Sequence, residues 1–269
     1  MAKLSTEPYK GVQDFYPEDM AIQNYIFSVW RKVAKQFGYE EYSASPLEPT
    51  ELYTEKSGDE IVNQQTFTFT DRGGRSVTLR PEMTPTLARM VAARRKSLKY
   101  PLRWYSIPNL FRYEKPQRGR RREHWQLNVD IVGVAGIEAE IEIITLADSI
   151  MQAFGAKRED YEIRLNFPNG NRVALEEFEK QLADKGIRNT KIDETLARGQ
   201  AYYTGIVFEM FDTNPANSRS LCGGGRYDDL TKLFEGTQNE DPLAFAGFGW
   251  GDITMRDFLE IHGLLPSNA

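Results

Sequence analysis

The first regular pattern along the chain is helical. Residues 17–37, PEDMAIQNYIFSVWRKVAKQF, carry apolar side chains at intervals of three or four positions. This spacing predicts an amphipathic helix with one buried stripe, which Gly38 is placed to end. The predicted stripe consists of Ile22, Ile26, Val29, Trp30 and Val33.

Alternating patterns follow the helix. Residues 65–70 read QTFTFT, a DRGGR turn comes next and residues 76–82 run extended, which predicts a β-hairpin. Pro46 and Pro49 precede this hairpin and are expected to interrupt any regular strand. Further elements are predicted as helices over 84–100, 137–155 and 172–185, and as strands over 102–114, 123–134 and 161–167.

The order of these elements predicts the fold class. The strands are mostly linked as hairpins, with helices between the groups, which is typical of an α+β fold built on a mostly antiparallel sheet flanked by helices. We expect residues 1–269 to form a single domain, since this length suits one large hydrophobic core.

Composition narrows the class of protein. With 40% hydrophobic and 27% charged residues and a net charge of -5, the chain is typical of a globular protein rather than a dedicated nucleic-acid-binding module. The single Cys222 excludes an intramolecular disulfide, and two histidines, His124 and His262, argue against a His-rich metal site. The N-terminus lacks a secretory signal and no run of about 18 apolar residues occurs, which predicts a cytoplasmic protein.

The stretch 111–126, FRYEKPQRGRRREHWQ, concentrates charge between two predicted strands. Strand alternation predicts that Arg112 and Glu114 share a face. A guanidinium there is suited to a bidentate grip on a carboxylate or phosphate, whereas the alternative is a solvated turn with ion pairs worth roughly 0–1 kcal/mol each. The cations of this stretch are Arg112, Lys115, Arg118, Arg120, Arg121 and Arg122, and the interleaved polar residues include Glu114, Glu123 and Gln126.

Carboxylates near this stretch have two interpretations. On the returning strand, Gln126, Asn128 and Asp130 are two positions apart and are expected to share a face, where a buried Asp130 would hold an ammonium or imidazole group. Glu82 suits the same role, but Glu82 and Thr84 also suit a helix N-terminus, where a carboxylate and a hydroxyl cap free N–H groups, and capping alone would explain both.

Two further segments combine polar groups with glycine. Arg198 precedes Tyr202 and Tyr203, which predicts either a polar pocket or two packed rings with satisfied hydroxyls. The glycine strings 223–225 and 247–252 lack the context of a dinucleotide fingerprint or a P-loop. They indicate either close strand contact or a backbone floor beneath a planar ligand such as adenine.

Taken in order, these segments resemble the catalytic core of class II aminoacyl-tRNA synthetases, and most closely the histidyl-tRNA synthetase family. Residues 20–53 are similar to motif 1, the dimer-forming element, and residues 103–133, with FRYE and GRRREHWQ, are similar to motif 2. Residues 197–209, with RGQAYYTGIVFE, resemble the histidine-specific signature, and residues 245–262 resemble motif 3. The resemblance covers nearly the whole chain.

The resemblance implies a ligase that activates histidine. The histidine carboxylate attacks the α-phosphorus of ATP, forming histidyl-adenylate and releasing pyrophosphate, while fixed guanidinium groups and Mg²⁺ stabilise the transition state. Arg198 and Arg112 are the implied catalytic cations, and no protein side chain is implied as a metal ligand. The implied ATP-binding residues are Arg112, Glu114, Arg120 and Arg122, and the implied histidine-binding residues are Glu82, Thr84, Gln126, Asp130, Arg198, Tyr202 and Tyr203.

The implied partners are L-histidine, ATP and the acceptor end of tRNA(His), with a homodimer formed through motif 1 and no membrane. The alternative is a histidine-binding regulatory subunit of ATP phosphoribosyltransferase without ligase activity. That paralogue usually loses the catalytic arginine and motif 2 residues, whereas Arg198, Arg112 and Glu114 are present here.

The sequence departs from the family pattern at several places. Gln200 and Ala201 stand where the family usually has a leucine and an aspartate, and Thr254 stands where motif 3 has an arginine that stacks on adenine. Arg256 lies two positions further on, a rotation of ~200° on a helix, so it is not expected to substitute. The anticodon-binding domain and a helical insertion near the turn at 168–170 are also expected to be missing, which predicts a minimal catalytic core with weak tRNA charging.

Overall fold

The elements follow the order that the patterns predict. The computed structural model describes residues 4–54, 65–117, 119–168, 170, 172–196, 202–228, 230–234 and 241–266. The helices are α1 (Pro17–Gln36), α2 (Glu51–Thr54), α3 (Thr84–Arg94), α4 (Glu138–Ala153), α5 (Arg172–Asp184) and α6 (Asp252–Ile261), with 3₁₀ helices at Arg158–Asp160 and Leu230–Leu233. The strands are β1 (Glu40–Glu41), β2 (Leu47–Pro49), β3 (Phe67–Thr70), β4 (Ser76–Leu79), β5 (Leu102–Ser106), β6 (Asn109–Phe111), β7 (Glu123–Val132), β8 (Tyr161–Asn166), β9 (Thr190–Ile192), β10 (Val207–Asp212), β11 (Ser220–Arg226) and β12 (Phe245–Gly251).

A large sheet forms the centre of the fold. Its strand order is β1-β5-β7-β12-β11-β10-β8-β9, and β6 pairs with β7 outside that path. Only the pairs at its two ends, β1 with β5 and β8 with β9, are parallel among the described strands. A second sheet of order β2-β4-β3 contains the predicted hairpin, so the predicted α+β class with a mostly antiparallel sheet is confirmed.

Helices cover one face of the central strands because β7 alternates between apolar and polar side chains. Leu127, Val129 and Ile131 belong to the main hydrophobic core, which also contains Ile26 and Trp30 of α1. Helix α1 packs on α4 and α6, and α4 and α6 pack on β7 and β12. The intervening residues of β7 therefore face the other side of the sheet.

Side chains from several elements fix the start of α3. The buried carboxylate of Glu48 on β2 accepts hydrogen bonds from the Thr86 hydroxyl at 3.0 Å and from Arg89 Nη2 at 2.7 Å. Arg80, also buried, donates from Nη1 to Ala44 O at 2.7 Å and from Nε to Asn109 O at 3.0 Å. These contacts hold the segment around residue 82 against both sheets.

Three predicted details were wrong. Helix α3 ends at Arg94, where a turn over residues 95–97 follows it, rather than near residue 100. Pro49 lies within the three-residue strand β2, which is an edge strand and tolerates proline. The predicted strand 102–114 is broken between β5 and β6 at Pro108 and ends at Phe111.

Among the described residues, none of the helices combines the length and the apolar character that crossing a membrane requires.

Candidate active site

Two adjoining cavities open on the sheet face opposite α1 and α4. The larger has a volume of about 390 Å³ and the smaller of about 140 Å³. Arg112, Gln126, Gly223 and Gly249 line both cavities, which therefore meet above β7, β11 and β12. The shared walls make them one site with two compartments.

Glycine lines the floor of this site. In the sheet register, Gly249 lies between Gly223 on β11 and Asn128 on β7. A Cβ atom at Gly249 would collide with the carboxamide of Gln126, and one at Gly247 would collide with the carboxylate of Asp130. The glycine string of β12 therefore leaves room for polar side chains of β7 to lie across the neighbouring strand.

The smaller cavity collects most of the predicted histidine-side residues. Buried Glu82 accepts a hydrogen bond of 3.0 Å from the Tyr202 hydroxyl, across 120 positions of sequence. Helix α3 begins at Thr84, and its N-cap residue, Met83, makes no side-chain capping hydrogen bond. The predicted residues that line this cavity are Glu82, Thr84, Arg112, Gln126, Asp130, Tyr202 and Tyr203.

Asp130 is a buried carboxyl on the wall of the smaller cavity. The Tyr227 hydroxyl donates a hydrogen bond to Oδ1 of Asp130. Oδ2 is buried and has no hydrogen-bond partner among the residues that the structure describes. Burial raises the pKa of Asp130 to about 7, against the lowering effect of the Tyr227 hydrogen bond. An N–H donor from a ligand would satisfy Oδ2 and favour the ionised carboxylate.

Arg112 lies at the junction of the two cavities, but not through strand alternation. Its backbone N–H donates to Arg122 O at 2.9 Å, and its Nε donates to Pro81 O at 2.9 Å. The expectation that Arg112 and Glu114 share a face of a strand was wrong, because the strand ends at Phe111. Both residues nevertheless line the larger cavity. Hydrogen bonds specific to the loop, rather than the period of a strand, orient Arg112.

Cations dominate the larger cavity. Arg112, Arg120, Arg121 and Arg219 all line it. Nη1 of Arg120 lies 3.2 Å from Oε2 of Glu114, which is largely buried. Four guanidinium groups around one space suit a ligand with several negative charges.

Neutral residues also line the larger cavity. Burial and the nearby Arg112 lower the pKa of His124 to about 3, so its imidazole is uncharged at neutral pH.

The Thr254 hydroxyl donates to Leu221 O at 3.1 Å and to Gly251 O at 3.2 Å, and thus ties α6 to β11. Arg256 instead donates from Nη1 to Asp19 at 2.9 Å and from Nε to Glu260 at 2.9 Å.

Arg122 lies away from both cavities, although it was predicted to bind ATP. Its guanidinium lies 4.0 Å from the ring centroid of Tyr113 and 5.5 Å from that of Tyr9. Nη1 donates to the Tyr9 hydroxyl at 2.9 Å, and Nε donates to Glu114 O at 3.2 Å. In this structure Arg122 joins the N-terminal segment to both ends of the arginine-rich loop.

Sequence reasoning did not assign several residues that the fold brings to the site. Tyr227, Arg121, Arg219 and His124 line the cavities although no spacing pattern identified them. For Tyr227 the available signal is its position two residues after the glycine string of β11. Arg198, Gln200 and Ala201 lie outside the described residues.

Comparison with known sequences identifies the family. The sequence model described as histidyl-tRNA synthetase matches residues 11–185 and 171–246. The histidine–tRNA ligase of Leptospira biflexa is 42% identical over 341 residues, covering 99% of this chain and 77% of the relative. That of Thermoplasma volcanium is 35% identical, covering 99% of this chain and 78% of the relative. The Leptospira alignment is longer than this chain of 269 residues, so the relative has internal residues that this chain lacks.

Solved structures give the same result for the fold. Apo histidyl-tRNA synthetase of S. aureus superposes with a TM-score of 0.81 at 27% identity, covering 99% of this chain and 72% of that one. A Bacillus halodurans C protein described as an ATP phosphoribosyltransferase regulatory subunit/histidyl-tRNA synthetase superposes with a TM-score of 0.79 at 24% identity, covering 99% and 85%.

Proposed function

Because the chain belongs to the histidyl-tRNA synthetase family, we propose that it activates L-histidine with ATP as the catalytic core of a histidine–tRNA ligase. The products are histidyl-adenylate and pyrophosphate. The observation that carries this proposal is the position of Arg112, which lines both a small polar cavity and a larger cavity rich in arginine. A reaction that joins a carboxylate to a phosphate needs a cation at such a junction.

The smaller cavity is the proposed histidine compartment. Oδ2 of Asp130 is an unsatisfied acceptor for an imidazole N–H, and the Tyr227 hydrogen bond orients the carboxyl. Glu82, fixed by the Tyr202 hydroxyl, is the proposed partner of the α-ammonium group, together with Thr84 and Gln126. Buried acceptors left unpaired without the imidazole N–H would select histidine over an apolar amino acid.

The larger cavity is the proposed ATP compartment. Glu114 would accept the adenine amino group, while Arg120 would turn to the phosphates once the nucleotide replaces it at Glu114. A histidine carboxylate oxygen attacks the α-phosphorus, and the bond from that phosphorus to the bridging oxygen breaks. Pyrophosphate leaves with the electron pair of that bond. Arg112 stabilises the charge that builds on the α-phosphoryl oxygens during this transfer.

Two components complete the proposed reaction. The described residues contain no group of three or more acidic, histidine or cysteine side chains placed to hold a metal, so we expect Mg²⁺ to enter bound to ATP. Arg198 is proposed as the second catalytic cation from the family resemblance, and it lies four residues before Tyr202 of the histidine compartment.

The proposed partners follow from the same family. The acceptor end of tRNA(His) is the proposed recipient of the histidyl group. We expect charging to be weak, because this chain lacks an internal segment that the Leptospira biflexa relative has. Residues 20–53, with α1, are the proposed dimer element. Light scattering checks the dimer, and a monomeric mass would contradict it.

A histidine-binding regulatory subunit without ligase activity is the second candidate. It is favoured by the similarity to the Bacillus halodurans C protein, which is described as both a regulatory subunit and a histidyl-tRNA synthetase. The larger cavity with Arg112, Glu114 and Arg120 favours the enzyme, since a protein that only binds histidine has no need of a second compartment lined by arginine.

The test is ATP–pyrophosphate exchange with Mg²⁺, measured with each of the twenty amino acids, beside calorimetric titration with histidine. Exchange with histidine alone supports the enzyme, and loss of exchange in Arg198→Ala with an unchanged melting temperature supports the role of that residue. Histidine binding without exchange would favour the regulatory candidate. Exchange with another amino acid would contradict the assignment of the smaller cavity.

A further inference from the structure

Arg219 connects two elements at the wall of the larger cavity. It directly precedes β11 and lines the same cavity as Arg112, Arg120 and Arg121. Its side chain lies across Gly119, where an added Cβ atom would come within 2.6 Å of Arg219 Cδ and 3.1 Å of Arg219 Nε. Gly119 has a φ of +73°, so glycine is suited there both by its backbone conformation and by this close approach. The stem of Arg219 thus packs on the arginine-rich loop beside Arg120.

Arg219, at the start of β11, is separated along the chain from the junction of the two compartments. Gly223, which lines both cavities, lies four residues further along the strand, or ~13 Å at the usual rise per residue. Arg219 lines the larger cavity but not the smaller one, so with the α-phosphate at Arg112 it lies on the side away from the histidine compartment. Arg120 approaches the same space from the loop.

The start of α6 contributes no cation to this cavity. Thr254 lines it with a neutral hydroxyl that donates to Leu221 O, two residues after Arg219. Arg256 is directed to Asp19 and Glu260. The first turn of α6 and the start of β11 are therefore joined at the cavity wall, and Arg219 is the cation at that place.

We infer that Arg219 binds the terminal phosphates of the nucleotide, supplying from the start of β11 the positive charge that α6 does not provide at Thr254. The inference rests on the proposed function. Arg219, from the start of β11, and Arg120, from the adjoining loop, bind the β- and γ-phosphates together, while Arg112 serves the α-phosphate. Packing of Arg219 on Gly119 also couples phosphate binding to the position of the loop.

The test compares ATP and AMP binding in variants of Arg219 by calorimetry, with histidine binding and melting temperature measured on each protein. Arg219→Met keeps most of the aliphatic stem over Gly119 and removes the charge, and Arg219→Lys keeps the charge. Arg75→Met, in the exposed turn between β3 and β4, is the control for an equal change of net charge.

We expect Arg219→Met to weaken ATP binding about ten-fold or more, which is the scale of one lost hydrogen bond to a charged group. AMP and histidine binding should change less than about two-fold, and Arg219→Lys should recover part of the ATP affinity because it restores the charge. The dependence of ATP binding on salt should weaken in the Met variant, a result that lost packing alone does not produce.

Other results would overturn the inference. Unchanged ATP binding in Arg219→Met, or equal losses for ATP and AMP, would show that Arg219 does not bind the terminal phosphates. A Lys variant no better than the Met variant would show that packing rather than charge matters. If the unmodified protein binds histidine but neither nucleotide, the proposed activation function itself fails, and this outcome is visible before any variant is compared.

Discussion

The Tyr227 hydroxyl donates to Oδ1 of Asp130 across 97 positions of sequence, while Oδ2 has no hydrogen-bond partner among the described residues. Burial raises the pKa of this carboxyl to about 7. The group therefore changes ionisation in the range where the protein is expected to work, and a ligand N–H at Oδ2 would favour the ionised form.

Asp130 makes the free energy of unfolding depend on pH. Its pKa in the folded protein, about 7, lies above the unfolded value of about 3.9, so the folded state binds more protons between these values and stability falls as pH rises through them. Asp252, whose pKa burial raises to about 6, acts in the same direction. Asp130→Asn removes this titration. We therefore expect the free energy of unfolding of the variant, relative to that of the unmodified protein, to rise by roughly 2–3 kcal/mol from pH 5 to pH 8. Urea unfolding at both pH values measures this, and parallel pH profiles for the two proteins would contradict it.

The hydrogen bond between Glu82 and Tyr202 is expected to stabilise the histidine compartment. A double-mutant cycle with Glu82→Gln and Tyr202→Phe should give a coupling of about 1.5–3 kcal/mol in the free energy of unfolding, as for a buried bond to a charged acceptor. Each single variant should also weaken histidine binding in calorimetry.

The hydrogen bond from Tyr105 to Glu41, at 3.1 Å, is the matched control, since neither residue lines the two cavities. Tyr105→Phe should leave histidine affinity unchanged. A similar loss of affinity in that variant would mean that general destabilisation, rather than the compartment, is being measured.

Gly249→Ala is expected to displace the Gln126 side chain, because the added methyl would occupy its place above β12. Histidine affinity should fall about ten-fold or more, on the scale of a lost hydrogen bond to a charged group. Gly251→Ala on the same strand is the control, since its Cβ would meet Thr254 Oγ1 at 3.6 Å, an ordinary contact. Equal histidine affinities of the two variants in calorimetric titration would show that the space Gly249 leaves for Gln126 does not matter for histidine binding.

Neighbouring arginines in the loop are expected to behave differently. Arg122→Met should lower the free energy of unfolding by about 1–3 kcal/mol, since it leaves two carbonyl groups, Glu114 O in the loop and Lys10 O in the N-terminal segment, without their partly buried donor. Arg121→Met should change stability less and weaken ATP binding instead, since Arg121 lines the larger cavity. Chemical unfolding and ATP titration on both variants check the contrast. A stability loss in Arg121→Met as large as in Arg122→Met would contradict it.

Arg112→Ala is expected to reduce the rate of histidine-dependent ATP–pyrophosphate exchange by about 10²–10³-fold, the scale of one lost donor to a developing oxyanion. Arg112→Lys should recover only part of the rate, because an ammonium group cannot reproduce a bidentate contact. Near-normal exchange in Arg112→Ala would remove this residue from the proposed mechanism.

Local patterns determined the elements and the fold class. The stripe Ile26, Trp30 and Val33 predicted α1, and it is buried because a helix can exclude water only along one face. The alternation on β7 placed Gln126, Asn128 and Asp130 on one side of the sheet, as the pleat of a strand requires. The resemblance to motifs named the family, which the comparisons confirmed.

Tertiary structure alone decided which side chains meet. The period of a strand predicted a shared face for Arg112 and Glu114, but the strand ends before them, and bonds to Pro81 and Arg122 orient Arg112 instead. Arg122 is drawn to the N-terminal segment by the rings of Tyr9 and Tyr113, although neighbouring arginines line the cavity. Contacts between residues far apart in sequence leave no spacing pattern, because they depend on how the whole chain packs rather than on a local period.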